Sequence, residues 1–139
     1  MPLRAITYTR GHHRYWDYTK DSTALLASPV FDPTTGFGGG GSTCVTDGPF
    51  VNWVINLPTG QGTQAAPRCL ARALNPQLAQ QWLTSSIEAQ IMDNNDFGHF
   101  TLALEGDAFG GMGIHGGGHF SVGGSAGDVY TSNTGSYIL

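Results

Sequence analysis

The stretch His115-Gly116-Gly117-Gly118-His119-Phe120 decides how this 139-residue chain is read. Residues four apart on a helix point the same way, so both imidazoles can grip one metal ion. Imidazole suits copper, zinc, iron and nickel alike, so the pair does not choose a metal. As a bare pattern it is weak, because two ligands are one or two short of a functional site. The three glycines argue against a helix that stands alone, since each costs roughly 0.8–1 kcal/mol relative to alanine. A helix here needs neighbours, and its glycines let a facing helix or a ligand approach the backbone closely. The alternative is a flexible glycine loop with two incidental histidines.

The same region offers a second chemistry. His115 to Gly118 spells HGGG, and Gly123-Gly124-Ser125-Ala126-Gly127 spells G-x-S-x-G. Together they suggest the oxyanion loop and nucleophile elbow of a serine hydrolase. Three points count against it. The elbow needs a buried strand before it, and residues 116–124 are mostly glycine. The two motifs belong to different strands joined by a crossover, which the few residues between Gly118 and Ser125 cannot supply. The triad order ends in histidine, and none follows Ser125.

Upstream, Leu78, Trp82, Leu83, Ile87 and Ile91 recur at helical spacing and predict one helix from about Pro76 to Met92. Asn75 can cap it, and proline suits its first position. A second helix is predicted from Asp96 to Glu105, capped by Asp96 and stopped by Gly106, with Phe97, Phe100 and Leu104 on one face. His99, on this stretch, reads as a partly exposed helix histidine. Phe50 to Leu57 suits a short strand ended by Pro58. Residues 22–49 and 58–68 read as loop.

Composition points the same way. Charged residues make up 12%, against roughly 25% in typical globular chains, and 21 residues are glycine. Such a chain has much irregular backbone and surface that expects a cover. The formal net charge is −4, with no basic stripe, which argues against a nucleic-acid partner. No run of 18 apolar residues exists to span a membrane. Met1-Pro2-Leu3-Arg4 lacks a signal-peptide apolar stretch, which leaves the compartment, including a secreted parent, open. Cys44 and Cys69 either staple the loop-rich middle as a disulfide or stay free buried thiols; the weak helical pattern between them favours the disulfide.

Several ordered stretches then resemble one family. Arg14-Tyr15-Trp16-Asp17-Tyr18 is similar to the Pro-Tyr-Trp-Asp-Trp stretch that follows the first copper site of fungal tyrosinases. Ser28-Pro29-Val30-Phe31-Asp32, the glycine run, Cys44 to Phe50, Arg68-Cys69-Leu70, Leu104-Glu105-Gly106 and Gly127 to Ser132 continue the match in order. The resemblance covers about residues 11–132, with 133–139 a divergent tail of a single partial copper-binding domain, 1–139. It implies a mainly α fold with long irregular loops, part of a dicopper helical bundle. It implies copper, two ions in the intact family, each held by three histidines. It implies a phenolic or catechol substrate and dioxygen, with o-hydroxylation of monophenols and oxidation of o-diphenols to o-quinones. His115 and His119 become two ligands of the second copper within an apolar surround that includes Phe120, while Trp16 and Asp17 become structural.

The inventory departs from that pattern. The chain has five histidines, not six. Met1 to Gly11 hold none where the first copper's ligands are expected, and His12 and His13 sit where the family places no ligand. The expectation is therefore a piece of a copper oxidase, with at most one bundle helix near the metal, one partial metal site and no activity alone. The alternative is a non-catalytic metal-binding or interaction protein derived from the same fold.

Overall fold

The computed structural model describes residues 15–39, 43–56, 64–106 and 111–128. In chain order these form α1 (Tyr18–Asp21), two single-turn 3-10 helices (Leu25–Ala27 and Pro29–Phe31), β1 (Val54–Ile55), β2 (Arg68–Cys69), α2 (Pro76–Trp82), α3 (Ser85–Met92), α4 (Phe97–Glu105) and α5 (Gly113–Val122). The result is mainly helical with long irregular connections. His12, His13 and the 133–139 tail lie outside the described residues.

The single helix predicted from Pro76 to Met92 is two helices. The chain leaves helical geometry at Leu83 and is extended at Thr84, whose hydroxyl accepts the Ile87 N–H at 3.3 Å and starts α3. A threonine that caps competes with the continuing helix, and Leu83 at the break is fully buried. The predicted apolar face survives the break, with Ile91 also buried and Trp82 and Ile87 half-buried. Asn75 caps α2 as expected, accepting the Leu78 N–H at 3.1 Å with Pro76 at the first position. Asp96 caps α4 through the His99 N–H at 3.0 Å, and Gly106 ends it at φ +95°. Those backbone and side-chain bonds from His99 hold the Asp96 carboxyl below its ordinary range. Phe100 and Leu104 face the core, but Phe97 does not: as the first residue of α4 it overhangs the bundle, 81% exposed, and stacks on Phe100. The strand expected over Phe50–Leu57 shrinks to Val54–Ile55, since Trp53, Val51 and Asn52 turn outward before it and β2 offers two residues to pair.

The main core gathers Leu25, Phe31, Ala79, Leu83, Ile91, Ile114, Val122 and Ala126. Its centre is the contact of α2 with α5, the most extensive between helices among the described residues. Gly117 makes that contact possible: a Cβ on it would lie 2.5 Å from Trp82 Cβ. The last carbonyls of α5 find partners across the same seam, where the Asn75 N–H donates to Ser121 O at 2.8 Å and the Ala73 N–H to Val122 O at 3.0 Å. The three-glycine helix is thus held by its neighbours. More than one bundle helix stands near the histidine pair: α5 carries it and α2 and α4 flank α5.

A smaller core of Val45, Ile55 and Leu70 sits under the two strands. Cys44 and Cys69 form a disulfide there, 25 residues apart in sequence. Arg72, 3% exposed, ties this layer to the first: its guanidinium lies over the Phe31 ring and donates to the Phe37 and Gly38 carbonyls. At the other end Trp16 Nε1 and Ser28 Oγ both donate to one Asp21 carboxylate oxygen, at 2.7 and 2.6 Å. Asp17 pairs with Thr19 and Lys20. Both Trp16 and Asp17 thus serve structure.

Two adjacent glycines should behave oppositely. Gly117→Ala is expected to lose about 1–3 kcal/mol through overpacking against Trp82, whereas Gly118→Ala, whose added carbon meets nothing within 4 Å, should gain up to ~1 kcal/mol of helix propensity. Urea unfolding of both variants checks the pair. Reduction of Cys44–Cys69 should lower stability by roughly 3–4 kcal/mol on the loop-entropy account, read as a fall in the denaturation midpoint with and without reductant.

Candidate metal centre

The two histidines of α5 meet through their outer nitrogens. His115 Nε2 and His119 Nε2 are 3.0 Å apart, with ring centroids at 4.8 Å and planes tilted by 53°. Each inner nitrogen already has a partner. His119 Nδ1 lies 2.8 Å from the Ala126 carbonyl oxygen, and His115 Nδ1 lies 2.7 Å from Glu105 Oε2. A carbonyl and a carboxylate only accept, so the neutral rings carry their protons on Nδ1. With those tautomers both Nε2 lone pairs point into one space, and at 3.0 Å either a shared proton or a shared metal ion joins the two nitrogens. Metal–nitrogen bonds of roughly 2.0–2.1 Å, enclosing an angle between right and tetrahedral, set two donors about 2.8–3.4 Å apart. The observed spacing fits one ion shared by both rings.

Local sequence builds this geometry. Gly106 at φ +95° and Gly113 at φ +59° supply the positive φ found at the end of α4 and the start of α5. A Cβ on Gly113 would collide with the Leu104 carbonyl and the Gly106 nitrogen, so the end of α4 lies hard against the start of α5. That brings Glu105 onto His115, ten residues on. At the other end of α5, Gly123 at φ +61° and Gly124 at φ +55° turn the chain so that Ala126 returns to His119. Such inner-nitrogen partners fix tautomer and ring orientation in metal-binding histidines.

The structure brings His115 and His119 together and joins Cys44 to Cys69. Among the described residues no group of three His, Cys, Asp or Glu is placed to hold a metal. His99 pairs with Asp96 on the surface instead. Phe120, expected in the apolar surround, is 37% exposed, because it follows His119 by one helical step and faces away from the core. Ser125 is no nucleophile: it follows a helix rather than a strand, is 1% exposed, and its hydroxyl accepts from the Ala71 N–H and Arg68 Nη1, each at 3.0 Å. The sequence reading missed two contributors, the Glu105 carboxylate and the Ala126 carbonyl. Glu105 left only its place beside the glycine that ends α4 as a signal; a backbone carbonyl leaves none.

Residues 2–135 match the common central domain of tyrosinase. A tyrosinase-like protein of Diaporthe leptostromiformis is 41% identical over 106 residues, covering 60% of this chain and 27% of that protein. An N-acetyl-6-hydroxytryptophan oxidase of Emericella nidulans is 28% identical, covering 94% of this chain and 48% of its own length. The polyphenol oxidase of Thermothelomyces thermophila, solved as a G292N mutant, superposes with a TM-score of 0.79 at 25% identity, over 93% of this chain and 44% of that one. The chain belongs to the tyrosinase family, whose members use dicopper centres, and it spans between about a quarter and a half of these relatives.

The Glu105–His115 bond can be isolated by Glu105→Gln, which keeps the side-chain shape and removes the charge. Cu(II) affinity of the full chain, measured by chelator competition, should fall roughly tenfold, the lower end for loss of a partner behind a metal ligand. An unchanged affinity would remove Glu105 from the site.

Proposed function

We propose that His115 and His119 hold one copper ion of a tyrosinase-type oxidase centre. On this reading the associated activity is o-hydroxylation of monophenols and oxidation of o-diphenols to o-quinones with dioxygen. The observation that carries the proposal is the meeting of two Nε2 atoms at 3.0 Å, with each ring's Nδ1 set against an acceptor of its own. Membership of the family supports oxidoreductase chemistry on phenolic substrates in general. Copper, when bound, supplies redox exchange with dioxygen and a positive charge for a phenolate. The chain's own residues keep both Nδ1 protons in place, through Glu105 and the Ala126 carbonyl, and hold the two rings at a fixed spacing on α5.

Residues 1–139 are, on this proposal, part of one copper-binding domain, within which the family match spans residues 2–135. Five histidines cannot furnish two sets of three, so we assign the chain a partial site and no oxidase activity by itself. A second reading, a non-catalytic metal-binding or interaction protein, is favoured by the half-exposed His115 ring, which leaves a bound ion open to solvent.

Copper titration separates these statements. The purified chain should take up one Cu(II) with nitrogen hyperfine structure in its paramagnetic resonance spectrum, and His115→Ala or His119→Ala should abolish that signal. Catechol oxidation should not exceed that of free copper. A signal that survives both alanine variants would sink the ligand assignment, and turnover well above free copper would sink the claim of inactivity.

A further inference from the structure

We infer that Ser125, gripped by Arg68 and Ala71, is a positioning residue for His119; the inference rests on the reading of His119 as a metal ligand. Ser125 is fixed at two points. Its N–H donates to the Ala71 carbonyl at 2.8 Å, and its hydroxyl accepts the Ala71 N–H at 3.0 Å, standing in for the carbonyl a strand neighbour would offer. Arg68 Nη1 donates to the same hydroxyl at 3.0 Å. The other guanidinium nitrogen, Nη2, lies 3.8 Å from the Asp128 carboxylate, so Arg68 holds the segment 125–128 at both ends.

The grip reaches His119 through one peptide plane. The Gly127 N–H donates to the Gly123 and Gly124 carbonyls, each at 3.2 Å. In a trans peptide the preceding carbonyl points the opposite way. The Ala126 carbonyl is thereby aimed at His119 Nδ1, 2.8 Å away. Gly123 and Gly124, both at positive φ, let this turn lie on the backbone of Ala71 to Ala73, where a Cβ on either would strike a carbonyl. The supporting strand is in turn fixed by the Cys44–Cys69 disulfide and by the bridge between Cys44 and Ala71. His119 is thus oriented by a rigid backbone group, whereas His115 depends on a half-exposed carboxylate.

The test uses the metal-free, nitrogen-15-labelled full chain at one alkaline pH. Long-range proton–nitrogen correlations report which nitrogen of His119 bears the proton. The wild type should show Nδ1–H. Ser125→Ala should shift His119 toward a mixture with Nε2–H and weaken Cu(II) binding roughly tenfold. Ser125→Thr, which keeps the hydroxyl, should restore both. Ser28→Ala, another buried serine whose hydroxyl binds Asp21, should lower the melting temperature yet leave the His119 tautomer alone. If Ser125→Ala does not fold, Arg68→Met, which removes one donor from the partly exposed edge of the grip, is read in its place and should show the same shift. An unchanged tautomer with wild-type copper affinity overturns the inference, as does an equal shift in Ser28→Ala. A tautomer shift in a protein that binds no copper upholds the positioning role and overturns the copper reading.

Discussion

The close seat of α5 on α2 is the constraint on which the rest depends. A helix with three consecutive glycines has too little propensity to persist alone. It persists because Gly117 gives up its side chain to admit Trp82, and because the N–H groups of Ala73 and Asn75 close off its last carbonyls. Only in that helical form do residues four apart share a face. Glycine content that looks like disorder in the sequence is therefore the means of helix–helix contact, and the histidine spacing follows from that contact.

Electrostatics then gives the pair its chemistry. Two neutral imidazoles whose inner nitrogens are committed to acceptors have nothing to offer each other but lone pairs. At 3.0 Å a proton or a metal ion between the two nitrogens offsets that repulsion, and the fold maintains the spacing through Glu105 on one side and the Ala126 carbonyl on the other. Both supports come from glycine turns, Gly106 with Gly113 and Gly123 with Gly124. The same residue type thus serves three distinct ends: close helix packing, the close approach of the end of α4 to the start of α5, and a tight return after α5.

Much of this was legible in the sequence. The caps Asn75 and Asp96 and the stop at Gly106 follow from local rules that need no tertiary knowledge, whereas His115 and His119 share a face only in the helix that α2 supports. The break at Leu83 and Thr84 was not legible, because apolar periodicity runs through it unchanged and only the threonine hydroxyl, competing with the helix, marks it. Phe97 reads as core by spacing but overhangs the end of its helix. The partners of the histidine rings were hidden for a different reason: one is a backbone carbonyl, and the other is set by a chain reversal whose glycines announce a turn without saying what it brings together. Ser125 carried the most misleading signal, since a motif associated with nucleophiles here ties a loop to a strand.

The proposed site stands or falls on whether these two rings share one metal ion. Anomalous diffraction from a crystal of the chain soaked in copper, recorded on either side of the copper absorption edge, tests it most directly. The account predicts a single strong peak roughly 2 Å from both His115 Nε2 and His119 Nε2, with Glu105 and Ala126 still holding the inner nitrogens. A peak bound to one ring only, or located away from both, would contradict it.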